Sequence, residues 1–512
     1  MTCVARGVGH DEWTVSASSP PPSLPPRESL LVFSDVHLGN DLDDRYALAP
    51  ARSSVDRDLV QLLAHYRRVP PRGVRWRIVV AGDFIDFIGM TIATGEDSVA
   101  SLNEEERAHG LGSAVDHALE KLRRVATRHA DVLAALATFV QDGHALTFVH
   151  GNHDVELHWD EVKTALADIL ADHAARHTDG AFDRDAFLAR IEFQPWFFWR
   201  EGVCFIEHGH QYDPFCATSH VMAPLSPADP RRIARGFCDV LLRFVVRPTR
   251  GLRESGHENV GFAHYVSFGT SLGVRGAARL FVRFVQAVRE LFAVRRAALS
   301  ETAQALRAEH ERRIARFAEK RRLRVERLRA LLALQVEPVT GSIHGILASL
   351  LLDRIAALVA TLAVAGVLAF AGVLRLNARG AIVAAVLLAI WALVDRGLAR
   401  MRSVDPAARM TDRAGHLARL FPAAFVVMGH THAPTATRAG DATYVNVGSW
   451  SEIEDDQDRA ARTHLVIHET ASAVEGTLLR WPSAESDAPA SEEPRAVEPL
   501  GTWVAARGNL PR

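Results

Sequence analysis

Several short apolar segments of this chain end in Asp, Asn or His, and this recurrence limits what the chain can fold into. The segments are brief and rich in Val, Ile and Phe, as expected of buried strands. The carboxyl ends of strands in an open sheet converge where ligands bind, so we predict one site built from strand ends. The five blocks are Asp35-Val36-His37, Gly82-Asp83, Gly151-Asn152-His153-Asp154, His208-Gly209-His210 and Gly429-His430-Thr431-His432.

A predicted helix separates the first two predicted strands. Between the predicted strands Leu30–Ser34 and Trp76–Ala81, the segment Asp56–Tyr66 repeats leucine at helical spacing. A second predicted helix, Ser113–Val140, precedes the predicted strand Ala145–Val149. This β-α-β order indicates an α/β (α+β) fold. The later predicted strands are the hairpin Phe197–Glu207, then Ala424–Met428, Thr443–Trp450 and His464–His468.

A long interval between the fourth and fifth blocks has helical periodicity and no strand pattern. Since parts of the predicted site lie on both sides of it, we interpret it as an insertion within one catalytic domain. The predicted organisation is a disordered tail at 1–27, the first part of the domain at 28–215, a basic helical insertion at 216–350, a transmembrane helical hairpin at 351–396, the second part of the domain at 420–481 and a disordered tail at 482–512.

The blocks supply carboxylate, amide and imidazole donors without a cysteine, a set that suits Mn, Fe or Zn better than calcium. Two neighbouring divalent ions need a bridging carboxylate, and Asp83 is the candidate because Gly82 leaves room beside it. In an extended chain, residues two apart point to the same face, which we expect for Asp35/His37 and His430/His432. A single His at a strand end is more often structural, so the ordered combination carries the prediction. The candidate ligands are Asp35, His37, Asp83, Asn152, His208, His430 and His432.

Taken together, the five blocks resemble the signature of calcineurin-like metallophosphoesterases, over residues 28–215 and 420–480. The resemblance implies a four-layer αββα sandwich with two divalent metal ions. Within the family, the blocks look most similar to the branch that contains UDP-2,3-diacylglucosamine pyrophosphatase. The chain departs from that branch in its length, its insertion and His210, which stands where the branch commonly has Asp. The resemblance assigns one ion to Asp35, His37, Asp83 and His432, and the other to Asp83, Asn152, His208 and His430.

The resemblance also implies hydrolysis of a phosphomonoester, phosphodiester or pyrophosphate bond. The two ions would neutralise the phosphate charge and convert a bridging water to the hydroxide that attacks phosphorus. His153 would be the general acid for the leaving oxygen, and Asp154 would orient its ring. A simple hydrogen-bonding role for His153 is the alternative. The candidate substrate-binding residues are Asn40, Asp86 and His210.

Two apolar segments near the end of the insertion predict a transmembrane hairpin. Ile355–Leu374 has no charged residue and is long enough to cross a bilayer, whereas Ala381–Val394 is shorter. Two crossings are needed because the blocks on either side belong to one site, and the hairpin would turn at Asn377–Gly380. Flanking arginines place the catalytic domain in the cytoplasm, at the inner (cytoplasmic) membrane. A buried helical pair in a soluble cap is the alternative.

The insertion is basic between Arg231 and Ala330, although the formal net charge of the whole chain is -2. This bias favours phosphate-bearing partners, either membrane headgroups or polynucleotides, with a solvated helical face as the plain alternative. Leu280, Phe284 and Val288 recur at helical spacing, so their helix can lie on a bilayer, on the domain or on a second subunit. If the site faces the membrane, we expect a lipid-linked phosphoester as substrate.

Two other functions stay open on the sequence alone. A nuclease or nucleotide phosphodiesterase would hold phosphates with the Arg-rich insertion. Few aromatic residues accompany these arginines for base stacking, so nucleic acid is not the favoured partner. A membrane-anchored scaffold with a vestigial site is the third interpretation, which the complete set of ligand types disfavours.

Cysteine usage and the chain ends favour an intracellular protein. Cys3, Cys204, Cys216 and Cys238 are scattered, which fits a reducing compartment. The N-terminal region lacks the apolar core of a secretory signal. The Ser/Pro-rich start and the Ala/Ser/Pro/Glu-rich segment after Pro482 have little to bury, so we predict disorder there.

Overall fold

The computed structural model describes residues 28–44, 54–94, 101–178, 180–249, 271–350, 352–374, 379–401, 405–451, 462–470, 472–482 and 498–506. Within these ranges the chain is a mixed α/β protein with two mixed β-sheets. The predicted N-terminal tail, residues 1–27, lies outside the described ranges.

The described strands form one sheet of seven strands and one of five. They are β1 (Glu28–Phe33), β2 (Arg75–Ala81), β3 (Ala145–Val149), β4 (Ile191–Gln194), β5 (Phe197–Arg200), β6 (Cys204–Glu207), β7 (Phe425–Met428), β8 (Thr435–Ala439), β9 (Ala442–Asn446), β10 (Arg462–Glu469), β11 (Ala473–Trp481) and β12 (Glu498–Ala506). The larger sheet has the order β12-β11-β10-β1-β2-β3-β4, and the smaller has the order β5-β6-β7-β9-β8. β1 to β4 run parallel, as do β6, β7 and β9.

The helices connect the strands and fill the insertion. They are α1 (Ser54–Arg68), α2 (Glu104–His109), α3 (Val115–Arg128), α4 (Ala130–Gln141), α5 (Asp160–Arg176), α6 (Arg184–Leu188), α7 (Phe237–Leu241), α8 (Gly273–Ala297), α9 (Glu301–Arg321), α10 (Val325–Leu332), α11 (Ile343–Ser349), α12 (Leu352–Leu374), α13 (Arg379–Met401) and α14 (Pro406–Leu420). The single predicted helix Ser113–Val140 is α3 and α4. The break falls at His129, whose ring accepts the Gly39 N–H at 3.0 Å and lies 2.8 Å from Asp56.

The two sheets pack face to face, and helices cover their outer faces. Side chains alternate along β1, so Leu30 and Val32 join the core between the sheets while Leu31 and Phe33 face α1, α4 and α5. The outer face of the smaller sheet packs against α9, α10 and α14 through residues such as Phe317. The insertion therefore supplies helices that cover the smaller sheet.

The insertion leaves after β6 and returns before β7, and buried ion pairs fix its first part against the domain. Arg232 Nη2 lies 2.7 Å from Glu106 Oε2, and both side chains are buried. Arg235 and Arg243 both contact Glu105. Removing either partner of a buried pair leaves an uncompensated charge, so these contacts hold residues 232–243 against α2.

The predicted transmembrane hairpin is wrong. The helices α12 and α13 pack against each other as a pair, but across the described ranges no helix is long and apolar enough to cross a membrane. Charged residues lie inside these helices, with Asp353 and Arg354 near the start of α12 and Asp395 and Arg396 within α13. Of the turn predicted at Asn377–Gly380, residues 377 and 378 lie outside the described residues, and residues 379 and 380 belong to α13.

The predicted C-terminal disorder is wrong for residues 498–506. These residues form β12, which pairs antiparallel with β11 in a register that sets Thr502 opposite Thr477. Trp503 packs against the core between the sheets. Backbone pairing and the packing of Trp503 and Ala505 order this short apolar stretch within a tail that is otherwise rich in Ala, Ser, Pro and Glu.

Candidate metal centre

The predicted ligands follow strands whose ends coincide. The strands β1, β2 and β3 are parallel neighbours in one sheet, and β6 and β7 are parallel neighbours in the other. Their carboxyl ends therefore lie together where the two sheets meet. Asp35 and His37 follow β1, Asp83 follows β2, Asn152 follows β3, His208 follows β6, and His430 and His432 follow β7.

Most of these ligands have a left-handed backbone. Among the described non-glycine residues, φ is positive at six positions, and five of them are predicted ligands. Such conformations cost about 1–3 kcal/mol each and cluster at functional sites, where the surrounding structure maintains them. The extended geometry that we predicted for Asp35/His37 and His430/His432 is therefore wrong, because these residues lie in tight turns. The φ angles are 54° at Asp35, 52° at His37, 53° at Asp83, 67° at His430 and 56° at His432.

Two glycines keep space open between the strand ends. Gly82 has a φ of +93°, and a Cβ there would overlap the imidazole of His208. A Cβ on Gly151 would overlap the carboxylate of Asp83 and lie 2.6 Å from its backbone nitrogen. A side chain at either position would therefore displace a predicted ligand.

Overlapping groups of donor atoms at these strand ends can hold a metal ion. Within each group, the donor atoms lie within 4.8 Å of one another. Three groups share members and so define adjacent positions in one centre: Asp35/His37/His432, Asp35/Asp83/His208 and His37/Asp83/His153. A fourth group, Asp213/Cys216/His430, shares no member with them and brings in a cysteine that the sequence did not indicate.

The ring of His37 lacks the hydrogen bond that a buried nitrogen normally makes. Its Nε2 atom is buried without a hydrogen-bond partner. It lies 3.8 Å from Asp35 Oδ1 and 3.7 Å from Asp83 Oδ2, which is too far for a hydrogen bond. Ligands about 2.0–2.2 Å from one ion have about this separation, so the spacing fits a metal ion between these atoms. His432 Nε2 lies on the same side, 3.2 Å from Asp35 Oδ1.

His208 presents its Nε2 atom to a second group of donors. Its Nδ1 donates to the Ala81 carbonyl at 2.9 Å, which leaves the Nε2 lone pair free to bind an ion. Nε2 lies 3.1 Å from Asp83 Oδ2 and 3.1 Å from Asn152 Oδ1. Burial lowers the pKa of His208, but Asp83 and Asp35 outweigh it and raise that pKa to about 9. The carboxylates therefore create a field that attracts positive charge.

His430 reaches the centre through its backbone, and its ring faces a residue that the sequence did not indicate. Its backbone N–H donates to Asp35 Oδ2 at 3.0 Å, while its ring Nε2 lies 3.1 Å from Asp213 Oδ2. Its ring centroid is 5.3 Å from that of His208. The only sequence signal for Asp213 is its position shortly after the His208-Gly209-His210 block.

The ring of His153 is held by Asp86 rather than by Asp154. Its ring Nδ1 lies 2.6 Å from Asp86 Oδ1, and its backbone N–H donates to Asp83 Oδ1 at 2.8 Å. Asp154 instead accepts the Gly151 N–H at 2.6 Å and the Phe84 N–H at 2.8 Å. The orienting role thus falls to Asp86, and Asp154 fastens two ligand-bearing loops to each other.

The other two candidate substrate-binding residues border the centre. The backbone carbonyl of Asn40 accepts a hydrogen bond from Arg247 Nη1 at 3.0 Å, so the first part of the insertion contacts the loop that carries His37. His210 is buried, with its ring centroid 6.5 Å from that of His430. Burial and the neighbouring His208 hold the pKa of His210 well below its usual value, so its ring is neutral.

Comparisons of the chain with protein-family models, curated proteins and solved structures found no match. The assignment of a function therefore depends on the geometry of the centre.

Proposed function

We propose that this chain is a dinuclear metal-dependent phosphoesterase. The proposal rests on the overlap of the donor groups, in which Asp35 and Asp83 each belong to more than one set of imidazoles. Two sets that share a carboxylate suit a pair of ions, because the shared negative charge offsets the repulsion between the ions. Pairs of divalent ions about 3.5–4 Å apart are typical of phosphatases and nucleases.

The donor chemistry fits Mn, Fe or Zn, since it combines imidazoles with carboxylates and one amide. Such a pair, when bound, lowers the pKa of a bound water and neutralises the charge of a phosphoester. The residues that would hold it are Asp35, His37, Asp83, Asn152, His208 and His432. The ring of His430, the other predicted ligand, lies with Asp213 and Cys216, and its Nε2 is 3.1 Å from Asp213 Oδ2.

His153 is the proposed proton donor for the leaving oxygen. With Nδ1 bound to Asp86, its Nε2 is the nitrogen available to a substrate. Burial lowers the pKa of His153, but the carboxylates of Asp86 and Asp83 outweigh this and raise it above its ordinary value. The ring is therefore protonated over a wider pH range, as a general acid requires.

The test uses the purified full chain, loaded with Mn²⁺, with bis(p-nitrophenyl) phosphate and p-nitrophenyl phosphate as diester and monoester probes. We expect hydrolysis of at least one probe, with about two metal ions per chain by elemental analysis. Asp83→Asn should lower kcat/KM about 10²-fold or more and reduce the metal content.

The control is Asp172→Asn, which makes the same chemical change at a side chain that is 63% exposed and paired with Arg184. It should keep the metal content and activity of the wild type. A metal-loaded chain that hydrolyses neither probe, or an Asp83→Asn variant as active as the wild type, would overturn the proposal.

A further inference from the structure

Two cysteines that are distant in sequence lie side by side near the metal centre. The Sγ atoms of Cys216 and Cys238 are 3.3 Å apart. Cys216 lies in the loop that follows the His208-Gly209-His210 block, and Cys238 lies in the first turn of α7. Both residues are partly exposed, whereas Cys204 is buried in β6.

The backbone holds these two segments together independently of the sulfur atoms. The Cys238 N–H donates to the Phe215 carbonyl at 3.3 Å, and the Cys216 N–H donates to the Asp213 carbonyl at 3.1 Å. Asp239 caps the start of α7 by accepting the Gly236 N–H at 2.7 Å. A disulfide has an S–S distance of about 2.0 Å, so the sulfurs need to approach by about 1.3 Å, which small side-chain rotations supply.

We propose that Cys216 and Cys238 are an oxidative modification site, at which a hydroperoxide converts the two thiols into an intramolecular disulfide. One thiolate attacks the peroxide, so that an S–O bond forms, the O–O bond breaks, and an alcohol or water leaves after taking up a proton. The second thiolate attacks the resulting sulfenic acid, the S–S bond forms, and the hydroxyl leaves as water. Two thiols lose two electrons, and the peroxide gains them.

The disulfide joins two parts of the molecule that no covalent bond links at this point. Cys238 lies in α7, and Cys216 lies where the insertion begins, in the loop whose Asp213 contacts the ring of His430. Oxidation therefore ties α7 to the edge of the metal centre. The hydrogen bond with Cys238, together with burial, raises the pKa of Cys216 well above its usual value, so the first step is slow and needs prolonged exposure to peroxide.

The experiment uses the full chain with Cys3→Ser, which removes the cysteine outside the described residues. The protein is incubated with hydrogen peroxide, denatured, alkylated and digested without reductant, and the peptides are identified by mass spectrometry. We expect a peptide in which Cys216 is joined to Cys238, lighter by two hydrogens than the sum of its parts. Dithiothreitol should restore two alkylatable thiols.

Two variants make the result specific. Cys204→Ser should form the same disulfide, because the Cys204 thiol is buried away from the pair. Cys238→Ser should abolish it and leave Cys216 as a sulfenic acid that dimedone traps. The proposal is overturned if peroxide leaves both thiols alkylatable, or if they resist oxidation until a chelator is added, since the second result would show that they bind a metal. Neither outcome depends on phosphoesterase activity.

Discussion

Asp86 contacts two histidines of the centre at once, with Oδ1 2.6 Å from His153 Nδ1 and Oδ2 3.5 Å from His37 Nδ1. It is buried, and both of these imidazoles hold its pKa well below the usual range despite burial. One carboxylate therefore sets the orientation of a proposed acid and of a proposed metal ligand. Residues that hydrogen-bond to metal ligands commonly control both the affinity for the metal and the rate of the reaction.

Replacing Asp86 with Asn should impair proton donation by His153. Without the carboxylate, the pKa of His153 falls and its ring loses a fixed orientation. We expect kcat at saturating Mn²⁺ to fall about 10²-fold for phenyl phosphate, whose leaving group needs a proton, and less for p-nitrophenyl phosphate. Steady-state kinetics with both esters checks this. His153→Ala should show the same dependence on the leaving group, and equal losses for the two esters would argue against an acid role.

Gly82→Ala should displace His208. Two costs add at this position: the left-handed φ of +93°, and the overlap of the new Cβ with the imidazole. Gly143→Ala is a matched control, because Gly143 has a φ of +94° and nothing within 4 Å of a new Cβ. We expect Gly143→Ala to lower the free energy of unfolding by about 1 kcal/mol, and Gly82→Ala to lower it by about 2–4 kcal/mol and to reduce metal content. Chemical denaturation and metal analysis would show whether the two variants differ.

Asp154→Ala should lower the stability of the fold, because Asp154 has a structural role. The substitution leaves two buried backbone donors, the N–H groups of Gly151 and Phe84, without their acceptor. Each unsatisfied group costs about 1–3 kcal/mol, so we expect a loss of about 2–5 kcal/mol in urea unfolding. Asp154→Asn keeps one acceptor oxygen and should lose less. Similar stabilities for the two variants would mean that these hydrogen bonds contribute little.

The strands that carry the centre are predictable because their apolar runs are short and end abruptly in polar residues. The predicted strand Ala145–Val149 has the bounds of β3, and Trp76–Ala81 lies within β2. These predictions are confirmed. The layer arrangement follows from the alternation along strands such as β1, whose two faces pack against different cores. Hydrophobic patterning over a few residues is therefore enough to place the strands that carry the centre, whereas β4, β8, β11 and β12 were not predicted.

The features that the sequence did not reveal depend on contacts between distant segments. The role of Asp86 arises from a hydrogen bond across 67 positions, and the contact of Asp213 with His430 spans 217. The left-handed backbone of the ligands was not predicted either. Asp and His adopt it more often than most residues, but still in a small minority of cases, so residue type alone does not indicate it. The apolar content of Ile355–Leu374 led to the hairpin prediction, although composition alone does not specify what a helix packs against.

A buried histidine that is not a proposed ligand should make the fold sensitive to acid. Burial, with a smaller electrostatic contribution from His65, lowers the pKa of His464 to about 3, and its Nε2 lies 2.8 Å from the hydroxyl of Tyr66. The unfolded chain binds a proton on this residue near pH 6.5, whereas the folded chain does not. The stability that the neutral ring contributes is therefore complete above pH 6.5 and is lost as the pH falls toward 3. The slope is about 1.4 kcal/mol per pH unit, or about 2 kcal/mol between pH 7 and pH 5.

The variant His464→Gln isolates this contribution from other titrating groups, because Gln can keep a hydrogen bond to Tyr66 but does not titrate. We expect the difference in unfolding free energy between the wild type and the variant to shrink by about 2 kcal/mol from pH 7 to pH 5. Urea denaturation at the two pH values measures this difference. If the gap between the two proteins stays constant with pH, His464 takes up a proton equally readily in the folded and unfolded chains, and the surrounding Trp450 and Trp481 rings do not exclude the charge as their packing indicates.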